Sequence, residues 1–254
     1  MHHAQECIKA KFNLNVGNLD SISSCVLTGP MAAELDKCLK SDAVNYLYSS
    51  LISYAEAVKG IESGLFSWAT VKLYYCAFYS LRSILSIDGF CVFYVGTKGY
   101  SVKARQGEFP VKAAGTTHKL VMSLFKRHNS SSPFVTQEID MIEPFEWLIS
   151  KREQANYKNG RFTEPEIPVI FNKSSFGLQV LMKEYILDKE HKYCFDSDHA
   201  VLALPLEIIK EASVKLLSST NFRLNQNDVK YLKGLLRVSG KPVVEFQGLI
   251  DTLR

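Results

Sequence analysis

What this 254-residue chain lacks narrows the field first. No apolar run approaches the ~20 residues that a membrane-spanning helix requires, so no membrane partner is expected. The opening MHHAQECIKAKFN carries no apolar core of a signal peptide, which predicts a cytoplasmic protein. Cysteine is sparse and scattered: Cys7, Cys25, Cys38, Cys76, Cys91 and Cys194 form no C-x-x-C pair, a pattern that fits reduced packing thiols rather than a zinc site. There is no G-x-x-x-x-G-K-[ST] loop, no G-x-G-x-x-G, no H-E-x-x-H and no G-x-S-x-G. His128, His191 and His199 are isolated, and Asp196 and Asp198 beside His199 have no other support as a cation site. No metal and no cofactor are therefore expected.

Charge excess is small as well, at +4 over the whole chain, too little to argue for nucleic acid by itself. Its distribution says more. Between Gly96 and His128, Lys98, Lys103, Arg105, Lys112, Lys119, Lys126 and Arg127 face Glu108 alone. Such a patch attracts phosphates through its field and through counterion release, and the plain alternative is a solvated basic surface. Hydrophobic content of 46% and charged content of 22% are those of an ordinary globular protein.

What is present is helical periodicity. Ser41-Asp42 reads as a helix start, after which Leu47, Leu51, Tyr54 and Val58 keep one face apolar as far as Gly60. From about Ser67 to Ile87, Trp68, Val71, Tyr75, Phe78, Leu81, Ile84 and Leu85 recur at three- and four-residue steps. Small residues (Ala69, Cys76, Ala77, Ser80) lie between them, which allows a partner helix to come close. Tyr74, Tyr75, Phe78 and Tyr79 cover most of that helix circumference, which favours burial in a core and an interface over a base-stacking platform.

Elsewhere the patterns are shorter. Cys91 to Ala104 has two strand-like runs around a glycine turn, an inserted hairpin at about residues 90–105. A third helix is expected from Thr116 or Thr117, capped by a hydroxyl, to near His128. A fourth is expected from about Thr136 to Tyr157, with Pro144 opening a segment or kinking it. Residues 1–30 carry no long helical period and read as an N-terminal arm, extended or with a short strand, ending in the turn Thr28-Gly29-Pro30. Residues 31–163 then form the main body. Glu164-Pro165-Glu166-Ile167-Pro168 marks the boundary with residues 164–254, where helices are expected over Ser174–Lys189, Pro205–Ser218 and Asn227–Val238.

The run around Trp68 to Gly89, with Tyr74-Tyr75, Ala77-Phe78 and Arg82, resembles the central helix pair of the HEPN superfamily. Thr117-His118-Lys119-Leu120 with Leu124-Phe125 is similar to its third helix. Arg152-Glu153-Gln154-Ala155-Asn156-Tyr157 is similar to the end of its fourth. Together these span roughly Asp42 to Arg161. The resemblance implies a mainly α fold, an up-down bundle of four long helices with the β-hairpin inserted and a helical C-terminal region added. It also implies a homodimer or a heteromeric protein partner, in the setting of prokaryotic toxin–antitoxin or antiviral defence systems.

Many HEPN proteins are metal-independent ribonucleases in which an arginine and a histidine, four to six residues apart, work on RNA across a dimer interface. Arg152 occupies the arginine position here, but Tyr157 stands where histidine is expected. A phenol with a pKa near ~10 is a poor base at neutral pH. The reading that follows is a non-catalytic subunit binding RNA, a nucleotide or a partner protein through Arg152, Asn156, His118 and Lys119, rimmed by Lys98, Lys103 and Arg105. The alternatives are an endoribonuclease that uses Arg152 with Tyr157 or His118, and a structural subunit of a defence complex. Against a ligand role, Arg152 could pair with Glu143, Glu146 or Glu153, and His118 could be a packing histidine.

Overall fold

The computed structural model describes residues 2–11, 22–158 and 160–254. The protein is mainly α-helical. Helix α1 (His3–Lys11) is followed by α2 (Gly29–Glu62), α3 (Phe66–Ile87), the strands β1 (Phe90–Val95), β2 (Lys98–Lys103) and β3 (Val111–Ala113), and α4 (Thr117–His128). Then come the short α5 (Pro133–Thr136), α6 (Pro144–Glu153), a π-helical turn over Gln154–Lys158 and a 3-10 segment over Val169–Phe176. The chain closes with α7 (Leu178–Leu187), α8 (Ala200–Ser219), α9 (Gln226–Leu235), β4 (Arg237–Val238), β5 (Lys241–Pro242) and α10 (Val244–Thr252). Among the described residues no helix is long and apolar enough to cross a membrane.

Three expectations about the first half need correction. The start of the chain is a helix over His3–Lys11 in place of a strand or an extended arm, while residues 12–21 lie outside the described residues. Thr28-Gly29-Pro30 is no free-standing turn. Thr28 is the N-cap of α2, its hydroxyl accepting from Met31 N at 3.4 Å with Pro30 in the first turn, so the helix begins well before Ser41. Asp42 caps a different helix. Its buried carboxylate accepts the N–H of His3 at 2.8 Å and of Ala4 at 2.9 Å, satisfying the orphan donors of α1 from 39 residues away.

Helices α2 and α3 form an antiparallel pair joined at Ser63-Gly64-Leu65. Gly64, at φ 73°, supplies the left-handed residue that stops α2, and Leu65 N donates to Gly60 O at 2.7 Å. Glu164 caps α3 from a distance, accepting from Ser67 N at 2.7 Å and Ser67 Oγ at 2.8 Å. Gly89, at φ 82°, then turns the chain into the hairpin. The hairpin is antiparallel with Phe90 opposite Lys103 and Val95 opposite Lys98, and β3 adds to the outer edge of β2. Its inward residues Phe93, Val95, Tyr100 and Val102 pack with Ala4, Ile8, Leu35 and Leu39 in a core of their own.

The fourth helical stretch also differs from expectation. Residues 137–143 are not helical: Ile139 and Ile142 form a bridge around Asp140 and Met141, both at positive φ, and α6 begins only at Pro144. Thr116 makes no side-chain cap to α4, and Thr117 Oγ1 pairs instead with Tyr94 OH at 2.8 Å. Beyond residue 164, α8 is buried along most of its length and lies against α3. Leu204, Leu206 and Phe246 share one buried cluster with Leu51, Leu81 and Phe125. Helix α10 was not among the expected elements, and its Phe246 stacks on Tyr54 at 5.8 Å. No disulfide forms among the described residues.

The cap on α1 yields a direct expectation. Asp42→Ala should cost about 1–2 kcal/mol, the scale of a lost N-cap, and concentrate the damage in α1. Limited proteolysis should then cut within residues 2–11 at lower protease doses while α2 and α3 persist. Identical cleavage patterns and melting curves for the two proteins would refute the assignment.

Candidate functional site

Two of the residues named from the sequence, His118 and Arg152, come together at the junction of α3, α4 and α6. Tyr74, Phe78 and Arg82 step along α3 at four-residue intervals and so share one face. His118, in the first turn of α4, lies against that face: its Nδ1 is 2.7 Å from Tyr74 OH and its ring centroid 4.2 Å from that of Phe78. Arg152, near the end of α6, also lies against Tyr74, with Cζ 4.6 Å from the ring centroid. Tyr74 thus touches both the guanidinium and the imidazole. It is 2% exposed, and burial raises its hydroxyl pKa to about 12, so it is an un-ionised phenol at neutral pH.

The carboxylates that might have neutralised Arg152 are engaged elsewhere. Glu143 and Glu146 pair with Lys126 of α4, and Glu153 pairs with Lys158 at 3.3 Å. Arg152 forms no ion pair among the described residues, and its Nε is buried without a hydrogen-bond partner. A second arginine repeats the pattern. Arg82, half-buried, donates to Tyr46 OH, lies 4.0 Å over the Tyr46 ring and 6.0 Å from that of Phe78, and likewise has no carboxylate partner. Its signal in the sequence was slight: Lys72 and Arg82 are the cations of α3, in a helix with no acidic residue.

His118 is held neutral by this setting. Half-burial lowers its pKa first, and the positive charges of Arg152 and then Arg82 lower it further. Its Nε2 makes no hydrogen bond among the described residues. For Nε2 to accept a proton, Nδ1–H must donate to the Tyr74 oxygen, a tautomer that the 2.7 Å contact permits. Two guanidinium groups without a carboxylate partner among the described residues lie close enough to His118 to lower its pKa, which is chemistry suited to an anion such as phosphate.

The remaining candidates sit apart. Tyr157 lies in the π-helical turn over Gln154–Lys158 and is 74% exposed. Asn156, in the same turn, is half-buried and makes no hydrogen bond among the described residues. Lys119 is exposed beside His118. Lys98 lies at the exposed hairpin turn. Lys103 sits 5.0 Å over Phe90 at the other end of the hairpin, and Arg105 pairs with Glu108. Phe90 stacks on His128 at 4.1 Å, so Lys103 lies beside the far end of α4, ten residues from His118 or about 15 Å along the helix. Lys103 and Arg105 therefore do not rim the Arg152 cluster. Among the described residues no group of His, Cys, Asp and Glu is arranged to hold a metal ion.

No protein-family model matches the chain, and no curated protein or solved structure matches it.

The electrostatics of His118 can be read directly by NMR. Its imidazole should titrate below the usual ~6.5, and Arg152→Ala should move the midpoint upward. The sign for stability follows: with the folded pKa depressed, the contribution of neutral His118 is whole above ~6.5 and is lost as pH falls below it. A midpoint unaffected by Arg152→Ala would show that the guanidinium does not act on the ring.

Proposed function

We propose that the chain is a non-catalytic, HEPN-like subunit that binds RNA or a nucleotide through phosphate at Arg152, Arg82 and His118. One observation carries the reading: Arg152 and His118, on different helices, both touch Tyr74, and neither nearby arginine has a carboxylate to neutralise it among the described residues. The order of elements supports the bundle assignment. The α2–α3 pair is followed by the His118 motif at the head of α4 and the Arg152 motif at the tail of α6. By the same resemblance the subunit works as a homodimer or beside a partner protein, in a bacterial defence or toxin–antitoxin-type system.

A second reading has its own support. Neutral His118, oriented through Nδ1 and with Nε2 free, has the form of a general base, and Arg152 beside it has the form of a phosphorane-stabilising cation. On that reading the chain is a metal-independent endoribonuclease whose histidine comes from α4.

Purified protein incubated with mixed transfer and messenger RNA, without added metal, separates the two. For a binding subunit, RNA is shifted but intact, and Arg152→Ala weakens binding about tenfold to a hundredfold, the scale of a lost charge-assisted hydrogen bond of about 1.5–3 kcal/mol. For a nuclease, RNA is cut and His118→Ala slows cleavage by about 10²–10⁴-fold with binding retained. Equal binding by wild type and Arg152→Ala, with no cleavage by either, would remove both and leave a structural subunit.

A further inference from the structure

The face of α4 opposite His118 borders a second feature. Leu120, Ser123, Leu124 and Arg127 point away from α3 and form one wall of a groove whose floor is the outer edge of the sheet, β2 and β3. The groove consists of two adjoining hollows of about 210 and 240 Å³ that share Ser101, Val111, Leu124 and Arg127. It therefore runs lengthwise between helix and sheet.

Its charge is one-sided. Lys103, Lys112 and Arg127 line it, and none forms an ion pair among the described residues. The carboxylate on the groove, Glu108, is already held by Arg105. At its margin stand two apolar side chains with no packing role that demands exposure: Phe109 at 49% and Val111 at 52% exposed. An elongated hollow with free cations along its length and an aromatic ring at its lip matches a polymer that alternates phosphates with flat, unpaired bases.

We propose that this groove binds a single-stranded polynucleotide, with Lys112, Arg127 and Lys103 on its phosphates and Phe109 stacked on a base. The site is separate from the cluster at Arg152, which lies on the other face of α4, and shares with it only the class of ligand. Free cations spaced along a channel supply affinity without reading sequence, and the ring adds a contact that any base can make. An acidic peptide would satisfy the cations but leave Phe109 without a role.

The test uses the full chain and fluorescein-labelled oligouridine, with affinity measured by anisotropy across a salt series. Lys112, Arg127 and Phe109 are exposed, so their replacement leaves the core untouched. Lys112→Ala with Arg127→Ala should weaken binding at least tenfold and flatten the slope of log K against log salt by about 1.4, given roughly 0.7 per phosphate contact to a single strand. Phe109→Ala should weaken binding about tenfold with the slope unchanged. Unchanged affinity and slope in the double variant would overturn the proposal, as would displacement of the oligonucleotide by polyglutamate at equal charge with Phe109→Ala neutral. Arg152→Ala run in parallel keeps the two sites distinguishable: a loss confined to that variant would sink the groove and spare the cluster, and the reverse would do the opposite.

Discussion

Close approach of α2 to α3 is the constraint on which the other contacts depend. Ser50 of α2 lies 2.7 Å from Ser80 Oγ of α3 and donates to Cys76 O at 2.9 Å, while Ser83 Oγ donates to Ala43 O at 2.8 Å. At the turn, the space beside Gly60 is filled by Ala69, whose Cβ would stand 3.5 Å from a Cβ added at Gly60. Side chains this small let two backbones lie side by side, and the serine hydroxyls at the contact are hydrogen-bonded. Cys76 Sγ also approaches Pro205 O at 3.8 Å, which brings α8 to the same level. With small residues spent on the two helix contacts, the large ones of α3 fall on the remaining face. There Tyr74, Phe78 and Arg82 form the floor that His118 and Arg152 use.

Periodicity made the interior of these elements legible, and their ends were not. The stripes of α2 and α3 and the hairpin about Gly96 follow from local spacing. Ser41-Asp42 misled because cap rules look for an acid just before its own helix. Asp42 sits inside a 34-residue helix and serves α1, and Glu164 serves α3 from 97 residues away. Both carboxylates do the chemistry expected of a cap, but the helix that receives them is chosen by packing. Glu164 also shows why the Pro-rich stretch read as a boundary: its composition is that of a linker, yet its first residue is bonded into the start of α3.

The candidate site was legible as a set of residues and illegible as a geometry. Arg152 and His118 were named from motif positions, and Tyr74 was read only as one of the aromatics around the helix circumference. Sequence neighbours suggested that Glu143, Glu146 or Glu153 would neutralise Arg152. Lys126, from a different helix, takes the first two, a choice that no local spacing encodes. Tyr157 was named because it stands five residues after Arg152, where the resemblance expects histidine, but it lies exposed in the π-helical turn over Gln154–Lys158. Arg82 went unweighed because a lone cation on an aromatic helix reads as a snorkelling side chain.

The two faces of α4 hold positive charge under different physical terms, and the difference bears on what each does. On the outer face, Lys112 and Arg127 stand in water, where an unpaired charge costs little and its field is screened within about 10 Å at ordinary salt. On the inner face, Arg152 and Arg82 are half-buried against aromatic rings, where a guanidinium without a counter-charge is expensive to keep. Cation–aromatic contacts of about 0.5–2 kcal/mol offset part of that cost, as does the Tyr46 hydroxyl for Arg82. The buried Nε of Arg152 stays unmatched. The same field, together with burial, lowers the pKa of His118 and so disfavours a third positive charge at the site. On the proposed reading, an anion held at Arg152 would satisfy that unmatched donor and favour the protonated form of His118. Binding there would then be coupled to proton uptake, whereas binding in the proposed outer groove would be coupled to the release of salt ions.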